Sequence, residues 1–256
     1  MQLPKISVIT PSYNQGIYLE RTILSILNQN YPNLEYIIID GGSTDDSVEI
    51  IKRYEHHLTY WVSESDEGQT DALNKGFFKA TGDILCWLCA DDLYEPWTLS
   101  EVSQFFQKNP KIHFIYGDAL WIDPEDKFIR YQKEVSFNQF ILLYGHNFIP
   151  QPSCFWRADI HRNIGELDQS FDVMMDADLW LRFSKSIHLY HSPQILSRIR
   201  MHPEQKTQRL RSRGREEARL LRERYFGKNS ETLFLPKKIT AKIIQLLWKL
   251  SSGCYW

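Results

Sequence analysis

Cysteine is scarce. Four thiols (Cys86, Cys89, Cys154 and Cys254) in 256 residues are too few to staple a domain of this size, so a disulfide scaffold is excluded and a reducing cytoplasm is the expected compartment. Long apolar runs are missing too, and no stretch approaches the roughly 18 to 20 apolar residues of a bilayer span. Met1 to Thr10 runs into a strand-like segment without the basic-then-apolar pattern of a secretory signal. No surplus of one charge dominates, because the formal net charge is only −2. With 43% hydrophobic and 24% charged residues, disorder and collagen-like structure are excluded.

The near-neutral total conceals an asymmetry. Residues 200–256 carry 14 Lys and Arg against 5 Asp and Glu, which leaves a net −11 on the remainder. An acidic body does not grip nucleic acid, whereas a basic end suits an anionic surface, a membrane face first among them.

The first half alternates strand and helix patterns. Lys5–Thr10, Leu34–Ile39, Leu58–Ser63, Ile84–Leu88 and Phe114–Tyr116 read as strands. Leu19–Gln29, the segment opened by Ser43-Thr-Asp-Asp46, Thr70–Ala80 and Pro96–Asn109 read as helices. Such alternation predicts an α/β fold with a mainly parallel sheet, whose ligands bind beyond the carboxyl ends of the strands. The loops at Tyr13, Asp40, Glu64–Asp71 and Asp91–Asp92 fall there, and all are polar or acidic. After about residue 120 the alternation weakens, although Met174–Ser184 reads as a helix with Leu179, Trp180 and Phe183 inward. Lys206–Arg224 is expected as a solvated helix and Leu235–Ser252 as a more apolar one.

Several carboxylates meeting at one sheet edge repel unless a cation joins them, and oxygen ligands suit Mg²⁺ or Mn²⁺. Asp91-Asp92 is the metal candidate, and capping of the helix after Tyr94 is the competing role. Cys86-x-x-Cys89 does not read as a zinc pair, because residues three apart on a strand face opposite ways.

Ile6-Ser-Val-Ile-Thr-Pro-Ser-Tyr-Asn14, Ile37-Ile-Ile-Asp-Gly-Gly-Ser-Thr-Asp-Asp-Ser47, Gly68-Gln-Thr-Asp-Ala-Leu-Asn-Lys-Gly76, Ala80-Thr-Gly-Asp-Ile-Leu85 and Ala90-Asp-Asp92 occur in order, with Asp176-Ala-Asp-Leu-Trp-Leu-Arg182 and Arg200-Met-His202 behind them. Together they resemble the family 2 glycosyltransferases of bacterial cell-surface polysaccharide synthesis over about residues 4–205. The resemblance implies a GT-A fold with a Rossmann-like nucleotide-binding half, and metal-dependent inverting transfer from a nucleotide sugar, a UDP-sugar foremost, to a glycan or polyprenyl-linked acceptor. Pro11, Tyr13 and Asn14 would line the donor, Asp40 would accept the N–H of the base, and Asp71 and Asp91 would lie beside nucleotide and sugar. Asp92 would hold the metal, with His202 close to it. Asp176 would be the catalytic base, with Asp178 as its runner-up in a more structural role. Two positions depart from the family pattern: Cys89, where many relatives carry an acid, and Met175, where they carry Glu. Asp40 as a turn cap and Asp71 as a helix-capping acid are the competing roles. Gln151 and Trp156 would border the acceptor pocket, core packing being preferred for Trp156.

The expected organisation is a GT-A domain over 1–205, divided into a nucleotide-sugar half (1–120) and an acceptor half (121–205), with a basic helical extension over 206–256. Two other activities are weighed. Nucleotidyl transfer would normally show a basic phosphate loop after the first strand, absent from Pro11–Gly16, while a catalytically silent nucleotide-sugar binder is favoured only by Met175 and Cys89. In the extension, Ile239, Ile243, Leu246 and Leu250 recur at helical spacing with Lys238, Lys242 and Lys249 elsewhere. That helix is expected to pack on its own domain or a partner subunit of a homodimer, or to attach peripherally to the inner face of an anionic membrane.

Overall fold

The computed structural model describes residues 3–253; Cys254 lies outside them. Strands β1 (Ile6–Ser12), β2 (Leu34–Asp40), β3 (Tyr60–Ser63) and β4 (Ile84–Trp87) are joined by helices α1 (Gly16–Leu27), α2 (Ser47–Tyr54) and α3 (Gln69–Lys79). They form the expected parallel sheet, in the order β3-β2-β1-β4.

Beyond β4 the sheet becomes mixed. It continues through β8 (Cys154–Arg157), β6 (Phe114–Ile122), β9 (Tyr190–Arg200) and β5 (Leu93–Tyr94), while β7 (Phe128–Gln132) pairs only with β6. The β4·β8, β6·β8, β5·β9 and β6·β7 ladders are antiparallel, and β6·β9 is parallel. Helices α4 (Thr98–Lys108), α5 (Ala158–Ile164) and α6 (Met175–Ser184) cover this part, and α7 (Lys206–Arg209), α8 (Arg211–Phe226) and α9 (Phe234–Ser251) close the chain.

Because successive side chains of a strand face opposite ways, the sheet builds a core on each face. Tyr36 and Ile38 pack towards α1 and α2, and Ile37 and Ile39 towards α3. The second face is dominated by aromatics: Trp87, Trp156 and Trp180 are fully buried, and Trp87 stacks on Trp180 at 5.6 Å. Trp156 is therefore core. Gly76 lets α3 approach β1 closely, since a Cβ there would meet Ile9 at 2.4 Å.

β6 runs well past the expected Phe114–Tyr116, and β9 lies where the alternating pattern marks no strand. In β6, Asp118 is buried, but His191 Nε2 lies 2.8 Å from Asp118 Oδ1, which also accepts the Glu134 N–H. These partners satisfy a charge that would otherwise be costly to bury. α8 keeps the solvated face that its Arg-rich sequence suggests but buries its other side. Glu217, Leu221 and Arg222 are buried, because Glu217 and Arg222 find charged and backbone partners there.

Candidate active site

The carboxyl ends of β1, β2 and β4 converge on one edge. At the nucleotide side, Pro11 is buried within β1, whereas Tyr13 just beyond it is 61% exposed and leaves a ring face free. Asn14 has a left-handed backbone (φ 51°), which Asn tolerates better than most residues. Its N–H donates to Ser43 Oγ at 2.8 Å, and its Oδ1 accepts the Thr44 N–H at 2.8 Å, so this side chain ties two loops together. Asp40 is fully buried. It accepts from the N–H groups of Gly42 and Ser43 and from the hydroxyls of Ser43 and Ser63, the bonding of a turn cap.

Asp71 faces a different opening. Its carboxylate accepts from Lys75 Nζ at 3.2 Å and from Gln169 Nε2 at 3.3 Å, beside a cleft of about 330 Å³ that reaches Tyr60, Val62 and Phe78 but not Asp91 or Asp92. Asp66 escaped sequence reasoning. It lies against Gly41, where a Cβ would meet it at 2.7 Å, and burial pushes its carboxyl up, helped by Asp71 and Asp40.

The metal side is the turn after β4. Thr22 donates to the carbonyls of Ala90 and Asp92, and Arg200 Nε to that of Asp91, fixing the backbone. The short β5·β9 ladder brings this turn to the end of β9. There the Arg200 N–H reaches Asp92 Oδ1 at 3.0 Å, and His202 Nε2 lies 2.9 Å from Asp91 Oδ2. Asp92 is buried, and desolvation together with Asp91 holds its carboxyl well above the usual range. Cys89 Sγ joins them: one ligand atom each from Cys89, Asp91 and Asp92 lie within 4.8 Å of one another. His202 thus faces Asp91 rather than Asp92.

These side chains fit a divalent cation. Two carboxylates and a thiol converge, with His202 against Asp91 and Lys206 behind Gln69, and Cys89 occupies the place that an acid holds in the family pattern. Around the sulfur, Gln69 Nε2 donates to Sγ at 3.1 Å and the thiol points at Gln151 Oε1 at 3.7 Å. Gln151 is anchored to the Trp87 carbonyl, and Gln69 by Lys206 Nζ at 3.0 Å. Such outer partners are what orient a metal ligand. Gln151 thus sits beside the metal cluster. Lys206, the first residue of the expected extension, reaches into the site.

Asp176 opens α6. Its Oδ2 accepts from Asn147 Nδ2 at 2.7 Å and its Oδ1 from the Ala177 N–H at 2.7 Å. Burial nevertheless pushes its carboxyl up to about 6. Met175 is buried in the core, with Thr70 Oγ1 2.9 Å from its sulfur, and so braces α6 on α3. Asp178 is fully buried and paired with Arg182 and Arg224, as a structural acid would be.

Residues 7–165 match the family Glycosyl transferase family 2. The chain belongs to that family. This glycosyltransferase is 30% identical over 184 residues to an uncharacterized glycosyltransferase of Mycobacterium tuberculosis, covering 70% of this chain and 68% of that one. A Rickettsia typhi relative, also an uncharacterized glycosyltransferase, is 30% identical over 213 residues, 80% of this chain and 66% of its own. Among solved structures, TarS residues 1–349 from S. aureus in complex with UDP-GlcNAc superposes with a TM-score of 0.63 at 16% identity, covering 78% of this chain and 60% of that one. The mannosyltransferase PcManGT of Pyrobaculum calidifontis, in complex with GDP-Man and Mn²⁺, gives 0.63 at 16% identity over 94% and 74%. The enzyme therefore has the expected GT-A fold, and it spans about three fifths of the TarS chain. Among the described residues, no helix is long and apolar enough to cross a membrane.

Proposed function

We propose that this glycosyltransferase moves one sugar, with inversion, from a nucleotide-sugar donor to a hydroxyl of a glycan or lipid-linked acceptor in surface polysaccharide synthesis. The observation that carries the reading is Lys206 between two acidic groups: its ammonium acts on the buried Asp176 carboxyl, pushed up to about 6 by burial, and, held by Gln69, on Cys89 of the Cys89, Asp91 and Asp92 cluster. A proton acceptor works best when its pKa lies near the working pH. Asp176 suits an acceptor hydroxyl, and the Asn147 amide N–H aims its Oδ2.

On the donor side, the exposed Tyr13 ring offers a stacking face beside Pro11, and the Asn14 clamp and the Asp40 cap shape the loops around the base. A UDP-sugar is the favoured donor, supported by the UDP-GlcNAc bound in TarS. Asp92, Asp91 and Cys89 would hold Mg²⁺ or Mn²⁺, with His202 orienting Asp91; PcManGT carries Mn²⁺ beside GDP-Man. When bound, such an ion neutralises the charge that develops on a departing diphosphate. The two departures from the family pattern do not argue for a silent binder, since Met175 packs α6 and Cys89 supplies a third donor atom.

The decisive variant is Asp176→Asn. Loss of a general base typically costs about 10²- to 10⁴-fold in rate, so kcat should fall by that order while donor affinity, measured by calorimetry, stays within about twofold. Substantial transfer by the variant would remove Asp176 from the role.

A further inference from the structure

The C-terminal helix docks through a narrow mixed face. Ala241 and Gln245 are buried against the domain, Phe234 and Ile244 join the core, and Lys249 pairs with the buried Glu134 at 3.1 Å. The apolar stripe, which sequence periodicity would turn inward, faces out instead. Leu235, Ile239, Ile243, Leu246, Leu247 and Leu250 are each 50–65% exposed. Burying such side chains normally drives folding, so an exposed stripe of this length marks a surface that meets something else.

Its charge identifies the occupant. Over Phe234–Ser251 there are four lysines and no acid; Lys249 turns to Glu134 and Lys237 to the Ser230 carbonyl, which leaves Lys238 and Lys242 to flank the stripe. The exposed edge strand β7 adds Phe128 and Tyr131, both about half exposed, around Arg130. Glu134, two residues beyond β7, accepts from Gln245 and Lys249 of α9, so strand and helix adjoin. Apolar side chains between cations, with Trp248 at the margin, match the boundary layer of an anionic bilayer.

We propose that the outward face of α9, extended by β7, seats this enzyme on an anionic lipid leaflet. α9 packs on residues 141–145, two positions before Asn147, which holds Asp176. Resting on the transfer reading above, the leaflet would then lie on the base side of the site, where a lipid-linked hydroxyl must arrive.

The test is sedimentation of the full chain with vesicles of phosphatidylcholine alone or mixed with phosphatidylglycerol. The protein should pellet with the anionic vesicles and stay in solution with the neutral ones, and added salt should weaken the binding. Ile243→Asp with Leu247→Asp should abolish it, and Lys238→Glu with Lys242→Glu should weaken it by about tenfold or more, with thermal transitions unchanged because these positions face solvent. Equal recovery with both vesicle types, or variants that pellet like the parent, would overturn the proposal. So would a dimer in light scattering that the apolar double variant dissolves while vesicles recruit nothing, since a second copy would then cover the face. Vesicle binding without sugar transfer would leave this proposal standing and remove the transfer reading; transfer in solution without vesicle binding would do the reverse.

Discussion

At Asp92, burial is compounded by a neighbouring carboxylate and opposed only by Arg200, whereas at Asp176 no acid adds to burial and the Asn147 amide, backbone N–H groups and the Lys206 ammonium oppose it. The same desolvation therefore gives two different sites. Acids crowded together with a thiol form a hole of negative charge that is stable only when a cation fills it or protons quench it. A single buried acid with a distant cation is left able to gain and lose one proton near neutrality. If this contrast is right, Asp92→Asn and Asp176→Asn should both cost on the order of 10³-fold in kcat, for different reasons. Only Asp92→Asn should weaken Mn²⁺ binding by calorimetry, and a chelator should leave its Tm above that of the parent, because it removes a buried like-charge contact. Matching losses of Mn²⁺ affinity in both variants would erase the distinction.

The base end also depends on a remote residue. Glu217 on α8 accepts the N–H groups of Asp172, Val173 and Met174 with both carboxylate oxygens at 2.8–3.0 Å, and Arg213 Nε holds it from the other side at 2.9 Å. The loop that delivers Asp176 is thus pinned by one buried side chain. Glu217→Ala should cost about 2–3 kcal/mol of stability, because buried N–H groups lose their acceptor. It should lower kcat by about tenfold to a hundredfold by misplacing the base. The Mn²⁺ affinity should survive, since Glu217 spends its hydrogen bonds on residues 172–174 and Arg213 rather than on the Asp92 turn, and equal losses at both ends would contradict a local role.

That asymmetry also explains what could be read from the chain alone. An apolar run that ends on an acid, as at Ile37–Asp40 or Ile84–Asp92, marks both a buried strand and the edge where ligands bind, so the nucleotide and metal side was legible. β6 and β9 were not, because Gly117, the buried Asp118 and Pro193 break the pattern. Their continuity rests on the Asp118–His191 contact and on a bulged register between the two strands. Lys206 and Glu217 carry no local signal, since a Lys or Glu in an Arg-rich stretch reads as solvated until the fold supplies partners. For α9 the periodicity was plain, but periodicity alone does not say which face docks, and here Gln245 and Lys249 find Glu134 while the leucines do not.

Proton affinity offers a finer comparison. Asp176 has a folded-state value raised to about 6 from the 3.8 of a free carboxyl. Its neutral form therefore favours folding, a stabilisation fully present below pH 3.8 and lost as pH rises through about 6. Activity should run the other way, rising with pH as the base ionises. Lys206 is among the groups that lower the Asp176 value, so Lys206→Met should move the acid limb of kcat towards higher pH. Tm of Asp176→Asn should exceed that of the parent at pH 7 and converge with it at acid pH, where both side chains are neutral. An acid limb that does not move in Lys206→Met would exclude the ammonium from the field at the base.

The smallest effect is expected where the family pattern is broken. Burial and the two acids hold the Cys89 thiol well above its usual range, so without a cation it stays protonated. A bound divalent ion reverses that preference, since metal ligation releases the thiol proton. A sulfur donor among oxygens favours softer ions over Mg²⁺. Cys89→Asp should therefore retain transfer within a few-fold while shifting the ranking of ions in a binding series towards Mg²⁺ and away from Co²⁺ and Zn²⁺. In the parent, Co²⁺ should produce a sulfur-to-metal charge-transfer absorption that the variant lacks, and alkylation of Cys89 should slow when Mn²⁺ is present. If Co²⁺ binds the parent without that absorption, the two carboxylates hold the ion alone and the thiol is only a packed neighbour. The metal end would then be simpler than its donor set suggests, and the contrast with Asp176 would rest on Asp91 and Asp92.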